Sequence, residues 1–192
     1  MIGNDIVDLN IASIESNWNR LGFLDKVFSK EEQLFILNAE NHSEMVWLLW
    51  SMKESAYKIY IQEFGNRFFN PKKLNCHLIS KHEGLVYIDA NCYLTKSEIT
   101  NNFVNTIATS NNIKKIINHN FKLENPSHNF QSFFIKEKLL KVFSELKEVC
   151  IDNLEIKKSK NGNPILFHNN LEQNYSFSIT HHGFYGAYAI SI

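Results

Sequence analysis

The sequence predicts an α+β fold with antiparallel sheets, built as two similar lobes that each pack a helix on a small sheet. Three observations carry this reading. Residues 43–62 and 130–149 repeat apolar side chains at helical spacing. Short runs rich in Val, Ile, Thr, Tyr and Phe, bounded by turn residues, follow each of these stretches. The order helix-then-sheet therefore occurs twice, although no repeat is visible as sequence identity.

Taken in order, Ile2 to Val7 is a β-branched run suited to a buried first strand. Residues 10–22 alternate polar and apolar loosely and suit a short helix ending at Gly22. Ser29 with Glu32 three residues later is a capping-box pattern, and Leu34, Phe35 and Leu37 continue it into a helix over 30–39. In 43–62, Met45, Leu48, Leu49, Met52, Ala56, Ile59 and Tyr60 form the apolar face, while Trp50, Lys53, Glu54, Tyr57 and Lys58 lie on the other. Beyond Pro71 the texture changes, and 73–80, 84–90 and 103–109 read as strands. Residues 111–126 are polar and Asn-rich without a period and read as a connector. Phe133, Phe134, Leu139, Leu140, Phe143 and Leu146 mark the helix over 130–149. Strands are expected at 153–158, 164–168, 175–181 and 185–191, with a turn at 160–164.

Composition narrows the function classes. With 192 residues and 44% hydrophobic content the chain can bury a substantial core. Twenty basic residues balance twenty acidic ones, which disfavours a nonspecific nucleic-acid binder. No apolar run approaches membrane-spanning length, and the first ten residues lack the basic start of a secretion signal. The three cysteines, Cys76, Cys92 and Cys150, form no CxxC pair, so free thiols in a reducing cytoplasm are expected.

Three constellations can carry chemistry. In Gly3-Asn4-Asp5-Ile6-Val7-Asp8 a carboxylate lies inside an apolar strand, where it needs a cation or several donors. Asp5, in mid-run, is the candidate, whereas Asp8 is placed to cap the next helix. Residues three apart in a regular strand face opposite sides, so Asp8 is the weaker metal candidate. In the second, Trp50, Glu54 and Lys58 are spaced by four and share one helix stripe. Glu before Lys at that spacing is also an ordinary surface pair, and taken alone the motif favours that reading. The third is Ser178-Ile179-Thr180-His181-His182-Gly183 at a strand end. Adjacent histidines in a strand point to opposite faces and cannot both bind one metal. A hydroxyl beside a histidine suits an anion such as phosphate, although a satisfied structural histidine fits equally.

Together these motifs resemble the 4′-phosphopantetheinyl transferase superfamily. The matching segments are Gly3 to Asp5 (G-x-D), Phe28 to Glu32 (F-[ST]-x-x-E), Trp50 to Lys58 (W-x-x-K-E-[AS]-x-x-K), Gly162 to Pro164 (G-K-P) and Ser178 to His181 (S-[IL]-S-H). The resemblance implies transfer of the phosphopantetheine arm of coenzyme A onto a serine of an apo acyl or peptidyl carrier protein. Adenosine 3′,5′-bisphosphate would be released. Carried over by position, Asp5 and Glu54 hold Mg²⁺, and Glu54 also accepts the serine proton. Lys58 neutralises or protonates the leaving phosphate, Lys53 contacts phosphate, and Asn163, Thr180 and His181 bind the nucleotide end. This chain departs from the family pattern at Asn163, where lysine is usual and Lys160 stands two residues before the motif, and at Thr180 for serine, His182 for an acid and Asn4 for an aliphatic residue.

The motif order is that of the short holo-acyl-carrier-protein synthase type. The length from Lys58 to Gly162 is closer to the two-lobed type resembling the surfactin-synthetase activator. The resemblance thus implies a lobe over 1–110 with the metal and catalytic motifs, a connector over 111–126, and a lobe over 127–192 with the nucleotide-phosphate motifs. It also implies a circularly permuted pseudo-dimer, monomeric in solution, with coenzyme A between the lobes. Two other readings compete with it: a coenzyme A-binding module without turnover, and a Mg²⁺-dependent phosphate-ester hydrolase.

Overall fold

The computed structural model describes residues 1–65, 67–68, 70–110 and 115–192. The first strand, β1 (Ile2–Asp8), leads into α1 (Leu9–Glu15), α2 (Phe23–Val27), α3 (Lys30–Asn38) and the long α4 (His42–Phe64). Four strands follow: β2 (Leu74–Leu78), β3 (Glu83–Ile88), β4 (Asn91–Ile99) and β5 (Phe103–Thr109). They form one antiparallel sheet in the order β1-β5-β4-β3-β2, so the first strand returns to the edge beside the last. The apolar face of α4, with Val46, Leu49, Met52, Ala56 and Ile59 fully buried, packs on this sheet. The α4 termini follow from local chemistry. The Asn41 side chain accepts from the Glu44 amide at the start, and Gly65 at φ +71° closes the end.

The remaining chain forms β6 (Ile116–Lys122), α5 (His128–Lys147), β7 (Leu154–Lys158), β8 (Pro164–His168), β9 (Leu171–Gln173), β10 (Ser176–His182) and β11 (Tyr185–Ser191). Their orders, β6-β11-β10 and β9-β8-β7, follow the first lobe's order with one additional strand, β9, and with the sheet divided between β10 and β9. The first strand of each half pairs antiparallel with the last one. Ile135, Leu139 and Phe143 of α5 form the second core with Leu154, Leu166, Phe177 and Ile190.

The α+β class and the long helices match the expectation. Asp8 caps α1, accepting from the amides of Asn10 and Ile11, and the Ser29–Glu32 capping box is present. Elsewhere the structure differs. The segment 10–22 is not one helix: α1 stops at Glu15, and Gly22 starts α2 rather than ending a helix. The expected connector 111–126 contains β6, whose polar side chains hid a strand that pairs with distant β11; residues 111–114 lie outside the described residues. β4 and the short β9 were not foreseen. The inward residues of β4 include Thr95 and Ser97, which give no apolar signal.

Candidate active site

Two close approaches bring β1 to the cleft. The first is to α4. A Cβ at Gly3 would collide with the Ser55 carbonyl oxygen, so only glycine lets the helix come this near. Small Ser51 and Ser55 face the strand, and Ser51 donates to the Asp5 carbonyl oxygen at 3.1 Å. Lys58 donates to the Asn4 carbonyl oxygen at 2.6 Å and to Asp5 Oδ1 at 3.2 Å. One turn farther on, Gln62 donates to the carbonyl oxygen of Ile2 at 3.1 Å.

The second approach is to β10 of the other lobe. As an edge strand, β1 has outward amides without a strand partner. Those of Ile2, Asn4, Ile6 and Asp8 donate to Ser176 Oγ, Ser178 Oγ, Thr180 Oγ1 and His182 Nδ1 at 2.9, 3.1, 3.3 and 3.0 Å. Alternate side chains of β10 thus replace the missing strand partner. The constant offset of 174 residues sets the register between the lobes.

Asp5, Glu54, Lys58, Asn163, Thr180 and His181 all line one cavity of about 480 Å³ between the lobes. Burial pushes the Glu54 carboxyl up to about 7; neighbouring Asp5 adds to the rise and Lys58 opposes it. Burial likewise raises Asp5, against the lowering effect of Lys58. The Asp5 side chain is only 13% exposed. Among the described residues, neither Asp5 Oδ2 nor a Glu54 carboxyl oxygen accepts a side-chain or backbone hydrogen bond. Two under-compensated carboxylates facing a cleft are a donor set suited to Mg²⁺, which takes one or two carboxylates and completes its shell with phosphate oxygens and water. No group of three or more His, Cys, Asp or Glu gathers anywhere among the described residues, so no all-protein cage competes with this arrangement.

The opposite wall is cationic. His181 packs edge to face on His128, with ring centroids 5.1 Å apart. Burial drives its pKa down to about 4, helped by His128, Lys58 and Lys158. It is therefore neutral at pH 7 amid positive charge, an arrangement that an arriving anion relieves. His182 points to the other face, as the strand period requires; its Nε2 lies 3.6 Å from Glu15.

A model of the 4′-phosphopantetheinyl transferase superfamily matches residues 1–108. The chain belongs to that superfamily. Holo-[acyl-carrier-protein] synthase (AcpS) of Thermotoga maritima matches over 89% of this chain and 83% of its own, at 11% identity and a TM-score of 0.44. No curated protein sequence matches.

In this superfamily member one expected site residue lies elsewhere. Lys53 is 1% exposed and sits in the core rather than the cleft. Its ammonium donates to Glu32 Oε2 at 2.8 Å and to the carbonyl oxygens of Pro71 and Leu74, so all three donors are used. Glu32 is equally satisfied, by the amides of Ser29 and Cys76. Lys53 is thus the buried tie between α3, α4 and β2, with no phosphate contact. Lys160 is exposed and does not line the cavity, whereas Lys158, two residues earlier, does.

Sequence reasoning also missed Arg67, His128, Ser132 and Lys136, which line the same cavity. The signal for three of them was available. Positions 128, 132 and 136 repeat every four residues on α5, as Trp50, Glu54 and Lys58 do on α4. Arg67 had no such signal: it reaches across from the loop after α4 to the Asn161 carbonyl. A second cavity, of about 570 Å³, shares Asp5 and His181 with the first and is walled by Phe23, Val27, Trp47 and Trp50.

Proposed function

We propose that the protein transfers the 4′-phosphopantetheine arm of coenzyme A to a serine of an apo carrier protein, with Mg²⁺, releasing adenosine 3′,5′-bisphosphate. The observation that carries this is a single cleft with two under-compensated carboxylates, Asp5 and Glu54, facing His181 and the lysines of the opposite wall. Phosphoryl transfer asks a protein mainly for charge neutralisation and in-line positioning, and the charged lining of this cleft supports the first. Bound at Asp5 and Glu54, Mg²⁺ supplies charge neutralisation on the pyrophosphate.

The chain's own groups do the rest. His128, Lys136, Lys158 and His181 hold the phosphates of the nucleotide end, with Asn163 at the rim. Lys58, fixed by the Asn4 carbonyl and Asp5, points its remaining donor capacity at the leaving phosphate. Glu54 takes the proton released by the attacking serine, directly or through water. The apolar second cavity offers room for the arm on the far side of Asp5.

The test is to incubate the protein with coenzyme A, Mg²⁺ and an apo carrier protein and to weigh the carrier. A mass gain of one phosphopantetheine supports the proposal. Free phosphopantetheine with no gain identifies a hydrolase. Coenzyme A binding without either product identifies a binding module.

A further inference from the structure

Resting on that reading, we propose that Thr180 is a positioning residue for Asp5 and not a phosphate ligand. Its hydroxyl has two partners, Asp5 Oδ1 at 3.1 Å and the Ile6 amide at 3.3 Å. The chemistry of those partners fixes its role. An ionised carboxylate oxygen only accepts and an amide N–H only donates, so the hydroxyl gives its one proton to Asp5 and accepts from Ile6. No proton is left for a phosphate oxygen. Thr180 is also only 6% exposed.

The consequence lies in how Asp5 is held. The terminal torsion of an aspartate is broad and can swing its carboxylate between orientations. Here Thr180 and Lys58 both bond Oδ1, which leaves Oδ2 without a hydrogen-bond donor and open to a cation. The β-branch adds to this, because threonine is stiff at χ1. Of the four β10 side chains that meet β1 amides, Thr180 alone also bonds the metal carboxylate. The seam between the lobes therefore aims a ligand as well as joining two sheets.

The experiment measures Mn²⁺ binding by electron paramagnetic resonance in the presence of coenzyme A, alongside metal-free binding of adenosine 3′,5′-bisphosphate and thermal melting. Thr180→Val should weaken Mn²⁺ binding by about 10- to 100-fold, as losing an outer-shell partner does. It should leave the bisphosphate affinity unchanged. Thr180→Ser, which keeps the hydroxyl, should recover most of the loss. Ser176→Ala removes a comparable bond to β1 away from Asp5 and should lower the melting temperature without moving Mn²⁺ affinity. If valine prevents folding, Thr180→Ala carries the same expectation. Weakened bisphosphate binding with intact Mn²⁺ affinity would overturn the assignment, as would equal Mn²⁺ losses in Thr180→Val and Ser176→Ala. Wild-type protein that binds coenzyme A but no Mn²⁺ would overturn the metal reading itself.

Discussion

Glu54 sits where burial and a neighbouring carboxylate both oppose its ionisation, so the group proposed to serve the chemistry also loads the fold. Its folded value of about 7 lies above the ordinary 4.5. Between those two values the folded state keeps a proton that the unfolded chain releases, so stability falls as pH rises through the window. Glu54→Gln should therefore abolish transfer and, in metal-free buffer at pH 8, raise stability by about 1–3 kcal/mol. Calorimetric melting at pH 5 and pH 8 checks this; a mutant no more stable than wild type at pH 8 refutes it. The two lysines of the same motif separate equally sharply. Lys53→Ala leaves Glu32 buried without its cation and should cost about 3–5 kcal/mol in denaturant unfolding. Lys58→Ala should lower turnover more than it weakens coenzyme A binding, with the fold intact. Unchanged maximal rate with poorer affinity would make Lys58 a binding residue only. Asp5, Glu54, Lys58 and His181 were legible as candidates from an acid in an apolar strand, charges repeating on one stripe and a histidine beside a hydroxyl at a strand end, and all four line one cavity. Lys53 was not, because the carbonyl oxygens that hold it come from the segment leading into β2, and spacing on α4 says nothing about them.

At the scale of elements, α5 brings to the cleft a stripe that complements the one on α4. His128, Ser132 and Lys136 face the cavity from one side, and Glu54 and Lys58 from the other. Removing the cation at the far end of the stripe should weaken binding rather than chemistry. Lys136→Ala is expected to loosen adenosine 3′,5′-bisphosphate by about tenfold, equivalent to about 1.4 kcal/mol. Isothermal titration reads it, and the loss should shrink at high salt because the interaction is largely electrostatic. A salt-independent loss, or none, would remove Lys136 from the phosphate wall. Both long helices could be read from their apolar period, because each buries one face on a sheet. The strands β4 and β6 could not. Thr95 and Ser97 of β4 meet polar or small partners such as Thr106, and β6 is an edge strand whose partner β11 lies far along the chain. A strand held by pairing rather than by an apolar face leaves little trace in local composition.

For the whole molecule, the repeated strand order has an asymmetric result. By register, Asp5 opposite Thr106 on β5 corresponds to His119 opposite Tyr188 on β11. The first lobe supplies the carboxylates, and its counterpart position in the second lobe carries no acid. Helix-then-sheet occurring twice made the two lobes legible, but the polar β6 concealed that the second lobe begins with its own copy of the first strand. One chain thus folds both halves of the pairing, cations from α5 and β7 and acids from β1 and α4, onto a single cavity. If that cavity is the whole site, the protein should sediment at its chain mass of 22.4 kDa with or without coenzyme A. Mixing provides the decisive measurement. Asp5→Ala and His181→Ala damage opposite walls of the cavity. If each site lies within one chain, mixing the two inactive variants, even after joint unfolding and refolding, restores nothing. If sites form between subunits, as in a trimer, some interfaces in a mixed assembly pair an intact acid wall with an intact histidine wall. Transfer activity would then return in proportion to those interfaces, and a cleft closed within one chain would be the wrong description of this enzyme.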